Sequence, residues 1–174
     1  TLGRYVHYCR HDTRVCGVDA ERSVFFEHYE SGDPALVTDQ GSRIEGIGRP
    51  RVEASFLPDV LDAMVKVPDV WSLAAMHVLS ARLGRRVGGS TGTNLVAALL
   101  CAQALHDAGQ GGSVVTLLCD GGERYRHTCF DEAWQRAQGL QSEAEQRAVA
   151  QWIDEGRMPQ QARDALRTAG ALAP

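Results

Sequence analysis

Val87-Gly88-Gly89-Ser90-Thr91-Gly92-Thr93-Asn94 is the segment whose residue types are best suited to hold a ligand. Glycines let a bound group approach the backbone closely. A helix beginning at such a turn offers unpaired N–H groups and the positive end of its dipole. The segment has neither the lysine of a P-loop nor the glycine spacing of a dinucleotide fingerprint. Taken alone it leaves three readings open: a ligand cradle, a tight strand-to-helix turn with Ser90 or Thr91 as a mere N-cap, or an anion nest for a nucleotide phosphate.

Other reactive side chains are sparse. Lys66 is the only lysine, and within MVKVP it reads as a solvent-facing strand residue. His7 and His11 stand four residues apart in a helical pattern, a spacing that can bind zinc, with no acidic or cysteine partner at ligand spacing. His77 lies in an apolar helix and reads as a satisfied core residue. Cys9, Cys16, Cys101, Cys119 and Cys129 form no CxxC pair and are odd in number, which fits reduced thiols in a cytoplasmic protein. Two further glycine-containing segments flank the first: Ile44-Glu45-Gly46-Ile47-Gly48, which could be a plain turn before Arg49-Pro50, and Asp120-Gly121-Gly122-Glu123-Arg124-Tyr125, in which Glu123 and Arg124 suggest an ion pair.

The elements that must position these residues follow from periodicity. Leu2, Tyr5, Val6 and Cys9 mark a helix over Thr1–Asp12, and Thr13–Asp19 reads as a buried strand. Residues 31–50, rich in Gly, Asp, Ser and Pro, read as a long loop, and such loops are often functional. A strand at Met64–Val67 leads through Pro68, with Asp69 as N-cap, into a helix over Val70–Leu83 that is apolar around much of its circumference. A brief strand at Arg86–Gly88, a helix to Ala108 and a strand at Ser113–Cys119 come next. Strand and helix alternating with short connections imply an α/β fold: a three-layer parallel sheet flanked by helices. After Asp131 the pattern is helical, with Glu143–Glu155 and Gln160–Ala169 as polar-faced helices of thin apolar content, an appendage or an interface. The division implied is a domain over 1–140 and a helical C-terminal extension over 141–174.

Composition narrows the function classes. The chain has 174 residues, 44% of them hydrophobic, enough for one substantial core. Eighteen basic residues against 22 acidic ones give a net charge of -4, which argues against a nucleic-acid surface. The apolar run Leu95–Leu105 is too short to span a bilayer, so no membrane partner is expected.

Taken together, the three glycine-containing segments resemble the fold-type II pyridoxal-phosphate enzymes of the cysteine synthase and cystathionine β-synthase family. EGIG, GGSTGTN and DGGERY stand in that order here. In cysteine synthases the counterparts look like QGIG, GISSGA and SSGERY, and in cystathionine β-synthases the first two look like EGIG and GGSAGS. The resemblance covers roughly residues 1–140, the C-terminal part of such an enzyme, and is nearest to cysteine desulfhydrase-like members. It implies a tryptophan synthase β-like fold with pyridoxal 5'-phosphate as cofactor. The implied cofactor-binding residues are Ser90, Gly89, Thr91 and Asp120, with the Ser90 hydroxyl donating to the pyridine nitrogen. Gly46, Ile47 and Gly48 are the implied substrate-binding entrance. Asp120 and the two glycines after it replace family serines, so a side-chain bond from that loop to the ring is not assured.

The resemblance also implies an activity: elimination or replacement at the β-carbon of L-cysteine or an O-activated serine. The family's Schiff-base lysine, its asparagine loop for the substrate carboxylate and its GTGGT-like phosphate loop have no counterpart among these residues, and no catalytic residue is assigned. The expectation is therefore half an active site, from a fragment or from one subunit of a split enzyme. A complementary N-terminal half, the amino-acid substrate, and a homodimer or heteromer are the implied partners. The competing class is a non-catalytic α/β binding or regulatory module that keeps the sheet without the chemistry.

Overall fold

The computed structural model describes residues 1–173. Eight residues, Leu2–Cys9, form α1, and Arg10 closes it in the left-handed conformation, φ 53°. His11 therefore lies beyond the helix, and the expected helical pairing of His7 with His11 does not form; both are exposed. Strand β1 is Cys16–Ala20, and Asp19 near its end accepts from the Phe26 N–H at 2.8 Å, so the strand's own carboxylate anchors the start of α2, Phe25–Ser31.

The long loop that follows carries one isolated bridge, Val37 to Arg51. A 3-10 turn at Pro58–Val60 precedes β2, Ala63–Val67, which pairs in parallel with β1 from Cys16↔Ala63 to Ala20↔Val67. Pro68 caps α3, Asp69–Leu83, so Asp69 is its first residue, and its carboxylate takes Arg43 rather than a backbone N–H. Helix α4, Gly89–Asp107, lies against α3, β1 and β2. Val65, Val67, Trp71, Val96 and Leu100 form the main core.

The C-terminal region departs from the all-helical expectation. Helices α5, Glu132–Gln138, and α6, Glu143–Glu155, form, but α7, Gln160–Ala165, stops short of the expected end. Leu166 turns extended, and Arg167–Gly170 becomes β3, antiparallel to β2 from Ala63↔Gly170 to Lys66↔Arg167. The sheet has the order β1-β2-β3 and is mixed, not wholly parallel. The energetic reason lies at Arg167, whose guanidinium reaches Glu27 and Glu30 at 2.7 Å each and lies 4.6 Å from the Phe26 ring centroid. Those contacts, with the open edge of β2, outweigh the helix-forming residues around it. Nor does α6 stand apart, for Val149 and Trp152 are buried in the main core and the helix packs on α3.

Three more expectations are corrected. Ser113–Cys119 is exposed and joins no sheet, with Val115 88% and Leu117 70% accessible. Arg86–Gly88 is reduced to one bridge, Val87 to Gly121. Lys66 is not solvent-facing: its side chain is 13% accessible, and its ammonium donates to Glu27 at 2.6 and 2.7 Å and to the Ser23 carbonyl at 2.9 Å. The stiff strand carries the lysine stem beneath α2, where that carboxylate meets it.

Candidate functional site

The GGSTGTN turn is shaped by close packing. A Cβ at Gly88 would lie 2.0 Å from Asp120 Oδ1, one at Gly89 3.0 Å from Ile44 Cγ2, and one at Gly92 2.0 Å from the Ser72 carbonyl oxygen. The last contact lets α3 and α4 approach backbone to backbone, as only glycine permits. Two neighbouring hydroxyls are committed to the scaffold: Thr91 Oγ1 accepts from the Cys119 N–H at 2.9 Å, and Thr93 Oγ1 donates to Ser72 Oγ at 2.9 Å. Gly88 is the N-cap, with no side-chain capping bond, so neither Ser90 nor Thr91 plays that part.

A second strand stub holds the turn from the other side. Gly88 N–H donates to the Asp120 carbonyl at 3.0 Å, and Gly122 N–H to the Arg86 carbonyl at 3.1 Å. The chain then curls through a 3-10 turn, Gly122–Tyr125, which brings the Tyr125 hydroxyl back to Asp120 Oδ2 at 2.5 Å. Burial, then the hydrogen bond and charge of Asp120, push the Tyr125 phenol up to about 12, so it remains a donor at neutral pH.

The loop over residues 42–48 supplies the remaining wall. Ile44 is buried beside Leu73, Met76 and Val87. Arg43 pins the loop, donating to Asp69 Oδ2 and Glu21 Oε2 at 2.8 Å each and to the Gln138 carbonyl at 3.1 Å. Asp69 is fully buried with Oδ1 unpartnered, and burial raises its pKa although Arg43 opposes the shift. Gly46 and Gly48 have φ of 88° and 80°, a region where side-chain-bearing residues are strained.

These walls enclose a cavity of about 310 Å³ lined by Glu45, Gly46, Ile47, Ser90, Cys119, Asp120, Arg124 and Tyr125. Of the residues singled out from sequence, Ser90, Asp120, Gly46 and Ile47 meet there. Gly89 and Thr91 are buried behind it, and Gly48 lies outside the lining. Tyr125 and Cys119 were missed as lining residues. The DGGERY segment contains Tyr125, but only the 3-10 curl reveals that its hydroxyl returns to the aspartate. Glu123 and Arg124 do not pair with each other: Glu123 meets Arg86 at 3.2 Å, and Arg124 meets Glu45 across the mouth.

His77 Nε2 lies 3.1 Å from the Cys129 carbonyl, which also accepts from Gln135 Nε2 at 2.8 Å, and burial lowers the His77 pKa.

An α/β domain with a serine at a glycine-lined helix start, lining a cavity roofed by two turns, has the architecture of a recognisable class. Residues 1–120 match the family of pyridoxal-phosphate dependent enzymes, and the chain belongs to that family. The family's cofactor is pyridoxal 5'-phosphate.

The chain is 56% identical over 140 residues to L-cysteine desulfhydrase Cds1 of Mycobacterium tuberculosis, covering 80% of the chain and 38% of that protein. It is 32% identical over 126 residues to cysteine synthase 1 of Emericella nidulans, covering 71% of the chain and 33% of the relative. To N-(2-amino-2-carboxyethyl)-L-glutamate synthase of Cupriavidus metallidurans it is 35% identical over 121 residues, covering 70% and 33%. Among solved structures, O-ureido-L-serine synthase superposes with a TM-score of 0.51 at 24% identity, over 79% of this chain and 41% of the other, a likeness of fold. The chain spans 33–38% of the length of these curated relatives.

The lining residues include groups compatible with the family's cofactor. Ser90 lines the cavity, while the space that side chains would take at Gly88 and Gly89 is filled by Asp120, Tyr125 and Ile44. No lysine lines the cavity, and Lys66 is engaged by Glu27. Among the described residues no helix is long and apolar enough to cross a membrane.

Proposed function

We propose that this chain supplies the pyridine-side wall of a pyridoxal-phosphate site that eliminates or replaces the β-substituent of L-cysteine or an O-activated serine. The observation that carries this reading is the Ser90 hydroxyl: it lines the cavity at the start of α4 while the Thr91 and Thr93 hydroxyls are consumed by the scaffold. When bound, the cofactor supplies an electron sink for the α-carbon of an amino acid. A serine hydroxyl facing the pyridine nitrogen leaves it uncharged, where an aspartate would stabilise the pyridinium and deepen the sink. The shallower sink suits reactions whose leaving group departs promptly from the β-carbon. Gly46 edges the entrance with no side chain, beside the apolar Ile47, giving the loop room to close over a substrate and exclude water.

The attaching lysine and the phosphate contacts come, in this reading, from a complementary portion carried by the same protein or a separate chain, in a homodimer or a heteromer. The fraction of the relatives' length covered supports this. So does the surface: β1 is an edge strand, and residues 113–119 present Val114, Val115, Leu117 and Leu118 to solvent beside α4, where Asn94 Nδ2 reaches the Leu117 carbonyl at 3.3 Å. An unpaired apolar stretch of this kind is a template for strand pairing. Cytoplasmic location belongs to the same proposal.

Absorbance tests it. The chain assembled with a lysine-bearing complementary portion and cofactor should develop the Schiff-base band near the visible edge. Ser90→Ala should move that band and lower turnover about 10²-fold, the cost of removing a donor aimed at developing charge, while shifting the chain's own stability by under about 0.5 kcal/mol. An assembled complex without the band, or an Ala variant with unchanged spectrum and rate, would defeat the proposal in favour of a non-catalytic module.

A further inference from the structure

Two side chains in the cavity could face a ring nitrogen, the Ser90 hydroxyl and the Asp120 carboxylate. They lead to different chemistry, because a free carboxylate would draw a proton onto that nitrogen and a hydroxyl would not. The structure commits the carboxylate elsewhere. Its Oδ2 accepts from the Tyr125 hydroxyl at 2.5 Å. Its Oδ1 lies against Gly88 so closely that even a methyl group there would meet it at 2.0 Å, and its backbone carbonyl accepts from the Gly88 N–H at 3.0 Å. Tyr125 itself is fixed, 5% exposed among Val87, Ile44 and Cys129, with Arg124 5.5 Å from its ring centroid.

We propose that Tyr125 is a positioning residue that holds Asp120 against Gly88, so that Ser90 alone is left to face the ring nitrogen. The inference rests on the pyridoxal-phosphate reading above and adds to it which of two candidate groups sets the protonation of the ring. A phenol donating to a carboxylate occupies the oxygen that would otherwise turn toward the cavity. Gly88, whose φ of -75° any residue could adopt, is required because any side chain there would evict the carboxylate.

The test is the 15N resonance of ring-labelled cofactor in the complex of the chain with its complementary portion. The wild type should show an unprotonated nitrogen. Tyr125→Phe should free the carboxylate and move the resonance toward the protonated position, and adding Asp120→Asn to that variant should return it. Asp120→Asn alone keeps an acceptor for Tyr125 and should leave the resonance at the wild-type position. A shift in Asp120→Asn alone, or none in Tyr125→Phe, overturns the inference. If Tyr125→Phe fails to fold, a resonance shift in Asp120→Asn still overturns the inference. A wild-type complex that takes up no cofactor overturns this inference and the function together. A complex in which Ser90→Ala alters the spectrum but Tyr125→Phe leaves the resonance in place overturns the inference alone. In the chain without cofactor, the Tyr29 pKa is also raised by burial, so ultraviolet titration should show late-ionising tyrosine absorbance of which one part disappears in Tyr125→Phe and ionises at lower pH in Asp120→Asn; the absence of that part would also sink the clamp.

Discussion

Arg167–Gly170 and Ser113–Cys119 reverse what their sequences promise. RTAG has little strand character and follows a helix, yet it forms β3. SVVTLLC has the strongest β character in the chain and joins no sheet. What separates them is access to a partner edge. β3 finds the edge of β2 open and gains the ionic contacts of Arg167 with Glu27 and Glu30, whereas residues 113–119 have no strand beside them. Propensity reports how well a residue suits a pleated surface, and the surface must be there.

The largest effect should come from denying β3 its place. Gly170 sits at φ 75°, and a Cβ there would meet the Asp62 carbonyl oxygen at 2.4 Å and the Tyr29 hydroxyl at 2.8 Å. Gly170→Val combines left-handed strain with a backbone clash, and should cost about 3 kcal/mol. Thermal unfolding should show the loss, and hydrogen exchange should show the Lys66 amide region opening. A variant that melts like wild type would mean that β3 contributes nothing, and the contrast with 113–119 would lose its energetic content.

The parts of the fold legible in the sequence are those whose evidence is local. Helix α3 was expected over Val70–Leu83 and occupies Asp69–Leu83, because Pro68 fixes its start and Gly84 its end. β2 was found within a residue, since its apolar run is short and bounded. What was not legible depends on residues far apart in sequence. Lys66 was expected in solvent because nothing near it announces Glu27, 39 residues away. The tail was expected to be wholly helical because Arg167 meets its acids across 137 and 140 residues.

The site divides in the same way. Ser90, Asp120, Gly46 and Ile47 come from three segments conspicuous for glycine, but the separation of Ser90 from Thr91, one facing the cavity and the other serving Cys119, needed coordinates. So did the return of Tyr125 to Asp120.

A moderate effect should come from the charges that tie β3 and β2 to α2. Burial works against Glu27, but the hydrogen bonds and charge of Lys66, with Arg167, outweigh it and lower its pKa from 4.5. A carboxyl whose folded pKa lies below its unfolded value contributes stability that is fully present above pH 4.5 and is lost as pH falls through the folded value. Glu27→Gln should therefore cost about 1–3 kcal/mol at neutral pH. Its deficit against wild type should narrow below pH 4.5. Urea unfolding of both chains at neutral pH and through the acid limb measures the two slopes; a deficit constant with pH would mean that Lys66 and Arg167 do not hold Glu27 ionised.

The smallest effect on the isolated chain should come from the segment that lacks a partner. Val115 and Leu117 are largely exposed, so Val115→Thr with Leu117→Lys removes little buried apolar area and should change stability by within about 0.5 kcal/mol. The same pair should weaken assembly with the complementary portion severely, because a lysine in the pairing face must be desolvated there, and should reduce self-association of the chain at high concentration. Sedimentation of wild type and variant, alone and mixed with the complementary portion, separates the cases. Unchanged assembly would show that the exposed stretch is not the surface on which the missing strand lies, and the unpaired character of SVVTLLC would then need another cause.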